Sequence, residues 1–139
     1  MEQASYKVMV WHANALPESY KALIYSKWLR SLRYGNDYFK LIDQKAYFRV
    51  YHKYIERVLT SPGSVVRLAV LGDDSDVVLG FSVSHGDTMD YIHVHKDYRR
   101  KGIGTSLLFK SVDQITHVTK NGISFWTARC PNAIFNPFA

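Results

Sequence analysis

Cysteine is nearly absent from this sequence. The lone Cys130 excludes an intrachain disulfide, and chains without disulfides suit reducing compartments, so a cytoplasmic setting is expected. A single cysteine usually behaves as a small buried hydrophobe, and Cys130 is not read as a nucleophile. Long apolar runs are missing too. No stretch approaches the roughly 20 apolar residues of a membrane span, and Met1–Ser5 lacks the basic-then-apolar opening of a secretory signal, so no membrane attachment is expected. Acidic residues are scarce, 12 against 18 Lys and Arg, which leaves a net charge of +6. The Gly-x-x-x-x-Gly-Lys-Ser/Thr loop of NTP-binding proteins does not occur. No internal repeat or linker divides the 139 residues, so residues 1–139 are read as one domain.

The cations are unevenly placed. Nine of the 18 lie between Lys21 and Arg57, with three acids among them. Such a surface attracts anionic partners, although the simpler reading is a solvated face on two helices, and no nucleic-acid-binding motif accompanies it.

Periodicity gives the elements. Tyr6–Trp11 reads as a strand. Pro17 opens a helix carrying Tyr20, Ile24, Trp28 and Leu32 at helical spacing, and Gly35-Asn36 stops it. Asp43 caps a second helix whose stripe is Tyr47, Tyr51, Tyr54, Ile55 and Val58, and Ser61-Pro62-Gly63 ends it. Three strands follow, over 65–71, 77–84 and 88–95, joined by polar turns as an antiparallel meander. A helix from Gly102 with the stripe Ile103, Leu107, Leu108, Val112 and Ile115, then a strand over Ile123–Arg129, complete a β-α-α-β-β-β-α-β order. That order predicts an α+β fold, a mixed and mostly antiparallel sheet flanked by helices, with an extended and shortened C-terminus.

One stretch carries chemistry. Ile92 to Leu108 runs from a strand through a tight basic loop, Arg99-Arg100-Lys101-Gly102-Ile103-Gly104-Thr105, into a helix. Two glycines one residue apart allow a sharp turn and close approach of backbone to ligand. The first N–H groups of the following helix lack internal partners and attract anions. Diphosphate is the ligand these features suit. A dinucleotide-binding loop would need a third glycine near the start of a βαβ unit, and here the loop follows a meander instead. A protein using the arginines only for nucleic-acid phosphates would have no need of the glycines.

Arg99-x-x-Gly102-x-Gly104 resembles the pyrophosphate signature Gln/Arg-x-x-Gly-x-Gly/Ala of the GNAT superfamily of N-acetyltransferases, and Val94 before it and Leu107-Leu108 after it fit the same pattern. The likeness covers about 65–129 well and the N-terminal helices more loosely. The whole chain, including Ser26–Ser31 and Asn136-Pro137-Phe138, is also similar to short GNAT-like proteins encoded by bacteriophages. The resemblance implies acetyl-CoA as co-substrate, attacked directly by a primary amine on a protein lysine, a small amine or an aminoacyl-tRNA. It implies that Ile92 to Val94 pair with the pantetheine arm like an added strand and that the Val94 N–H polarises the thioester carbonyl. Arg99, Arg100, Lys101, Gly102, Ile103, Gly104 and Thr105 would hold the diphosphate, so a side chain at Gly104 is expected to occupy its space. No metal is implied.

Two departures from the family pattern bear on activity. Many members protonate the leaving thiolate with a tyrosine on a further helix. That helix would begin here near Asn132, which is therefore counted with the cofactor residues, yet no tyrosine follows Tyr98. The alternative is a CoA-binding or structural module with weak or no catalysis. The short C-terminus leaves the acceptor site open or completed by a second subunit of a homodimer. For the proton acceptor, Asp90 on the strand before the loop comes first and His93 second, with His85 a candidate in the preceding turn. Alternation along a strand places Asp90 and His93 on opposite faces.

Overall fold

The computed structural model of the chain describes residues 5–99, 102–108 and 112–139. Its elements are β1 (Tyr6–His12), α1 (Glu18–Tyr34), α2 (Asp37–Lys40), α3 (Gln44–Thr60), β2 (Ser64–Leu71), β3 (Asp74–His85), β4 (Thr88–Val94), α4 (Ile103–Ser106), β5 (Gln114–Ile115), α5 (Ile123–Arg129) and β6 (Ile134–Phe135). The strands form one sheet in sequence order, antiparallel from β1 to β4 and parallel across β4–β5 and β5–β6. The expected mixed, mostly antiparallel sheet flanked by helices is therefore what the chain forms. Parallel neighbours need a crossover between them, and α4 and α5 lie on the two crossovers.

The long helices form where caps and stripes require. Asp43 accepts the Ala46 N–H at 3.0 Å and starts α3. The short α2 is absent from the sequence reading, although its signal is present: the Asn36 side chain accepts the Tyr38 N–H at 3.0 Å, as an N-cap does. Buried Ile24, Trp28 and Leu32 of α1 and Tyr47, Ile55 and Leu59 of α3 pack with Val66, Leu68, Phe81, Val83 and Tyr91 on one face of the sheet. One of the cations read as a solvated face belongs to this layer. Arg33 is buried, donates to the Phe39 and Ile42 carbonyls and lies 5.2 Å over the Tyr47 ring.

On the other face, Ile103 and Leu107 pack on Ala69 and Leu79, and Trp126 packs on Met89 and Ile115. Two expectations fail here. The stripe from Ile103 to Ile115 does not run along one helix, because α4 ends at Ser106 and Ile115 belongs to β5. Ile103 and Leu107 serve one cluster, while Leu108, Val112 and Ile115 serve another. Segment Ile123–Arg129, expected as a strand, is helix α5. Tertiary packing decides this: Phe125, Trp126 and Cys130 all reach the Met89–Ile115 cluster, and a strand would send the adjacent Phe125 and Trp126 to opposite faces. Asn132 consequently lies in a turn after α5 rather than at the start of a helix.

Candidate functional site

β4 and β5 pair over two steps only, Thr88↔Gln114 and Met89↔Ile115. The Thr116 N–H then bonds the Met89 carbonyl at 3.1 Å and the Thr116 hydroxyl bonds the Asp90 carbonyl at 3.0 Å. Past this apex β4 runs on through Val94, paired with β3 alone among the described residues. The β3–β4 register shifts between Val83 and Ser84, so Asp90 has no cross-strand partner and forms a bulge. Bulges re-aim side chains and recur beside functional sites.

The phase of the ladder shows which backbone groups border the opening. The His95 N–H bonds the Leu79 carbonyl at 2.8 Å, so His93 and Tyr91, two and four residues back, also turn their backbone groups to β3. By alternation Ile92 and Val94 turn theirs away from β3, into the opening between β4 and β5. Ile92 and Val94 are the two residues named for pantetheine. The Val94 carbonyl accepts Arg99 Nε at 3.0 Å, which ties the loop's first arginine to this edge.

After Val94 the loop turns through Lys96–Tyr98 and reaches Gly102 at φ +82°, the left-handed region in which glycine is at ease. Buried Ile103 anchors the following turn. At Gly104 a Cβ would lie 3.1 Å from Cε2 of Phe125 on α5. Close packing of the loop on α5 is thus one reason for glycine at this position. The expected Arg100 and Lys101 lie outside the described residues. Sequence reading missed Arg129, at the end of α5, whose Nε donates to the Thr105 hydroxyl at 3.0 Å. It brings a guanidinium to the loop from a segment taken for a strand.

Asp90 is 1% exposed, and its Oδ2 lies 2.7 Å from His85 Nδ1. Burial pushes its carboxyl above the usual carboxylate range, against the opposing pull of His85 and Thr116. His93 packs on Phe81, and burial with Arg99, Lys27 and His95 nearby lowers it to about 4. It is a neutral imidazole of low basicity at neutral pH. The bulge also upsets the simple alternation argument. Asp90 is influenced by His85 on β3 and Thr116 after β5, and it acts on Tyr54 of α3, while Tyr91 and His93 pack toward the same α1–α3 side. Beside Asp90, His117 Nδ1 meets the Thr116 hydroxyl at 2.9 Å, and burial lowers His117 to about 4. Its ring is enclosed by Trp28, Tyr51 and Tyr54. Thr116 and His117 went unnoticed because they follow directly on the segment read as helical up to Ile115, where the strand β5 was not read.

Residues 28–134 match the acetyltransferase (GNAT) family. The chain belongs to that family. Among curated proteins no match is found, whereas solved structures with the same fold are many. An aminoglycoside acetyltransferase, meta-AAC0020, from an uncultured soil metagenomic sample superposes with TM-score 0.53 at 16% identity, over 92% of this chain and 89% of that one. A GNAT family acetyltransferase from Staphylococcus aureus gives TM-score 0.52 at 14% identity, over 93% and 98%. YjaB from Escherichia coli gives 0.48 at 20% identity, over 74% of this chain and 61% of its own. At these identities the likeness is one of fold. No helix among the described residues is long and apolar enough to cross a membrane.

Proposed function

We propose that the chain transfers the acetyl group of acetyl-CoA to a primary amine by direct attack. The observation that carries this reading is the opening between β4 and β5, with the backbone groups of Ile92 and Val94 turned into it and the Gly102–Thr105 turn at its wide end. An extended pantetheine arm satisfies such an edge as an added strand does. The residues present fit the cofactor. Gly102, Ile103, Gly104 and Thr105, with Arg99, Arg100 and Lys101, would hold the diphosphate, and Arg129 would add its charge through Thr105. Asn132, in the turn after α5, stays with this group as a proposal.

The order of groups along acetyl-CoA refines one assignment. With the diphosphate at the loop, the arm passes Val94 first and Ile92 next, so the thioester comes to rest toward the apex. The Ile92 N–H is then the donor that polarises the carbonyl, and the Val94 N–H serves the arm. A preorganised backbone donor of this kind stabilises the charge that develops on the carbonyl oxygen. His93 is a poor proton acceptor, first through burial and then through its neighbouring cations, whereas the apex holds Asp90 bonded to His85.

A protein lysine, a small amine such as an aminoglycoside, or an aminoacyl-tRNA would each supply the nucleophile, in a cytoplasmic setting. One observation favours the reading of a CoA-binding module without chemistry: α5 presents Phe125 and Trp126 and no tyrosine to protonate the thiolate. The two readings separate in a thiol-release assay with acetyl-CoA and a set of amines (sisomicin, spermidine and a lysine-bearing peptide). Transferase function predicts amine-dependent release of CoA thiol. Saturable acetyl-CoA binding with no amine-dependent thiol would decide for the module.

A further inference from the structure

The apex of the cleft holds a pair that Asp90 alone does not describe. Asp90 is shut from solvent, so it has no route of its own by which to pass a proton to water. Its Oδ2 is bonded to Nδ1 of His85, whose side chain is 42% exposed at the end of β3. With Nδ1 donating to the carboxylate, the ring carries its free lone pair on Nε2. The pair lies at the bulge where β4 and β5 part, the end of the opening farthest from the Gly102–Thr105 turn.

We propose that His85 is the proton acceptor of the acetyl transfer and that Asp90 is a positioning residue that fixes its ring and tautomer. This rests on the transferase reading. The groups around the pair are Tyr54 of α3, with Arg57 over its ring, and Thr116 and His117 after β5. Tyr54 and His117 are held uncharged near neutral pH, Tyr54 raised to about 12 chiefly by burial and secondly by Asp90. Of the Asp90–His85 pair, the half-exposed imidazole is the member in contact with water.

The acceptor's ammonium gives one proton to Nε2 of His85, and the freed lone pair forms the C–N bond at the thioester carbonyl. The C–S bond breaks and CoA leaves as thiolate. The second proton lost by the attacking nitrogen neutralises that thiolate, and His85 returns the first proton to water. The products are the acetamide, CoA thiol and one proton.

The experiment compares His85→Ala, Asp90→Asn and the double variant with the wild type, using whichever amine supports thiol release. His85→Ala should lower kcat by about 10² to 10⁴, the usual worth of a positioned base, with the acetyl-CoA dissociation constant unchanged. Added imidazole should restore part of its rate but none of the rate lost by Asp90→Asn. The acid limb of the pH–rate profile should vanish in His85→Ala, and the double variant should be no slower than His85→Ala alone, as residues acting as a unit are not additive. Since Asp90 is buried, melting curves accompany Asp90→Asn, whereas His85 is half-exposed and its variant carries the test whether or not Asp90→Asn folds. Wild-type turnover in His85→Ala, or a loss that imidazole leaves unrepaired, overturns the proposal while leaving the transferase reading intact. A wild type that binds acetyl-CoA but acetylates none of the amines overturns the transferase reading and the proposal with it.

Discussion

Gly104→Val is expected to destabilise the fold by about 1–3 kcal/mol, the common cost of overpacking, and to weaken acetyl-CoA binding at the same time. The Cβ alone would stand 3.1 Å from Cε2 and 3.4 Å from Cζ of Phe125. The γ-methyls of valine would push α5 and the loop apart, and with them the hydrogen bond from Arg129 to Thr105. Strain of about 1–3 kcal/mol expressed in the bound state is a rise of roughly five- to 150-fold in the dissociation constant. Gly102→Ala makes the contrast. Nothing lies within 4 Å of its Cβ position, but φ is +82°, so the cost is backbone strain alone, about 1–2 kcal/mol. Urea denaturation and acetyl-CoA calorimetry on both variants check the pair. Unchanged stability and affinity in Gly104→Val would show that loop and α5 are not packed as described.

The second large effect belongs to Trp28. It is fully buried, stacks on Tyr91 with ring centroids 4.9 Å apart at 7°, and meets Tyr54 and His117 edge-on. Its Nε1 has no hydrogen-bond partner among the described residues, so truncation forfeits packing and no hydrogen bond. Trp28→Ala should cost about 3–5 kcal/mol, which for a chain of this length lowers Tm by roughly 10–20 °C. The loss reaches the site as well, because Tyr91 stands next to the Asp90 bulge and bonds the Ser31 hydroxyl with its own. Trp28→Phe keeps part of the stack and should lose markedly less. Thermal melts of the two variants measure this. Equal small losses would mean that the cluster is not the keystone between α1 and β4.

What the sequence revealed follows from the reach of each signal. The caps and stripes of α1 and α3 and the β2–β3–β4 meander are local patterns whose physics lies within a few residues, and they form as expected except that β3 already begins at Asp74, inside the expected polar turn. Segment Ile123–Arg129 is different. Whether it is strand or helix is decided by adjacent Phe125 and Trp126 both meeting the cluster of Met89 and Ile115, contacts made far along the chain. The same holds for the stripe from Ile103 to Ile115, which reads as one helix until two separate clusters claim its halves. In the site, Asp90 and the stretch Ile92–Val94 were named from their place on the strand before the loop and from the family resemblance, not from any local pattern that gives the backbone phase. The bulge that pairs Asp90 with His85 depends on register with β3, and no local pattern encodes it. Arg129 was hidden by the misread element that carries it, and Thr116 by the unread strand that ends just before it.

The central claim is that acetyl-CoA lies along the free edge of β4, and amide hydrogen exchange followed by NMR tests it residue by residue. Tyr91 and His93 already turn their N–H groups to β3, whereas Ile92 and Val94 turn theirs into the opening. On saturation with acetyl-CoA, the Ile92 and Val94 amides should become strongly protected while those of Tyr91 and His93 change little, since protection follows the hydrogen bond each amide gains. Exchange at Ile92 and Val94 that stays the same with acetyl-CoA bound would place the cofactor elsewhere and contradict the account.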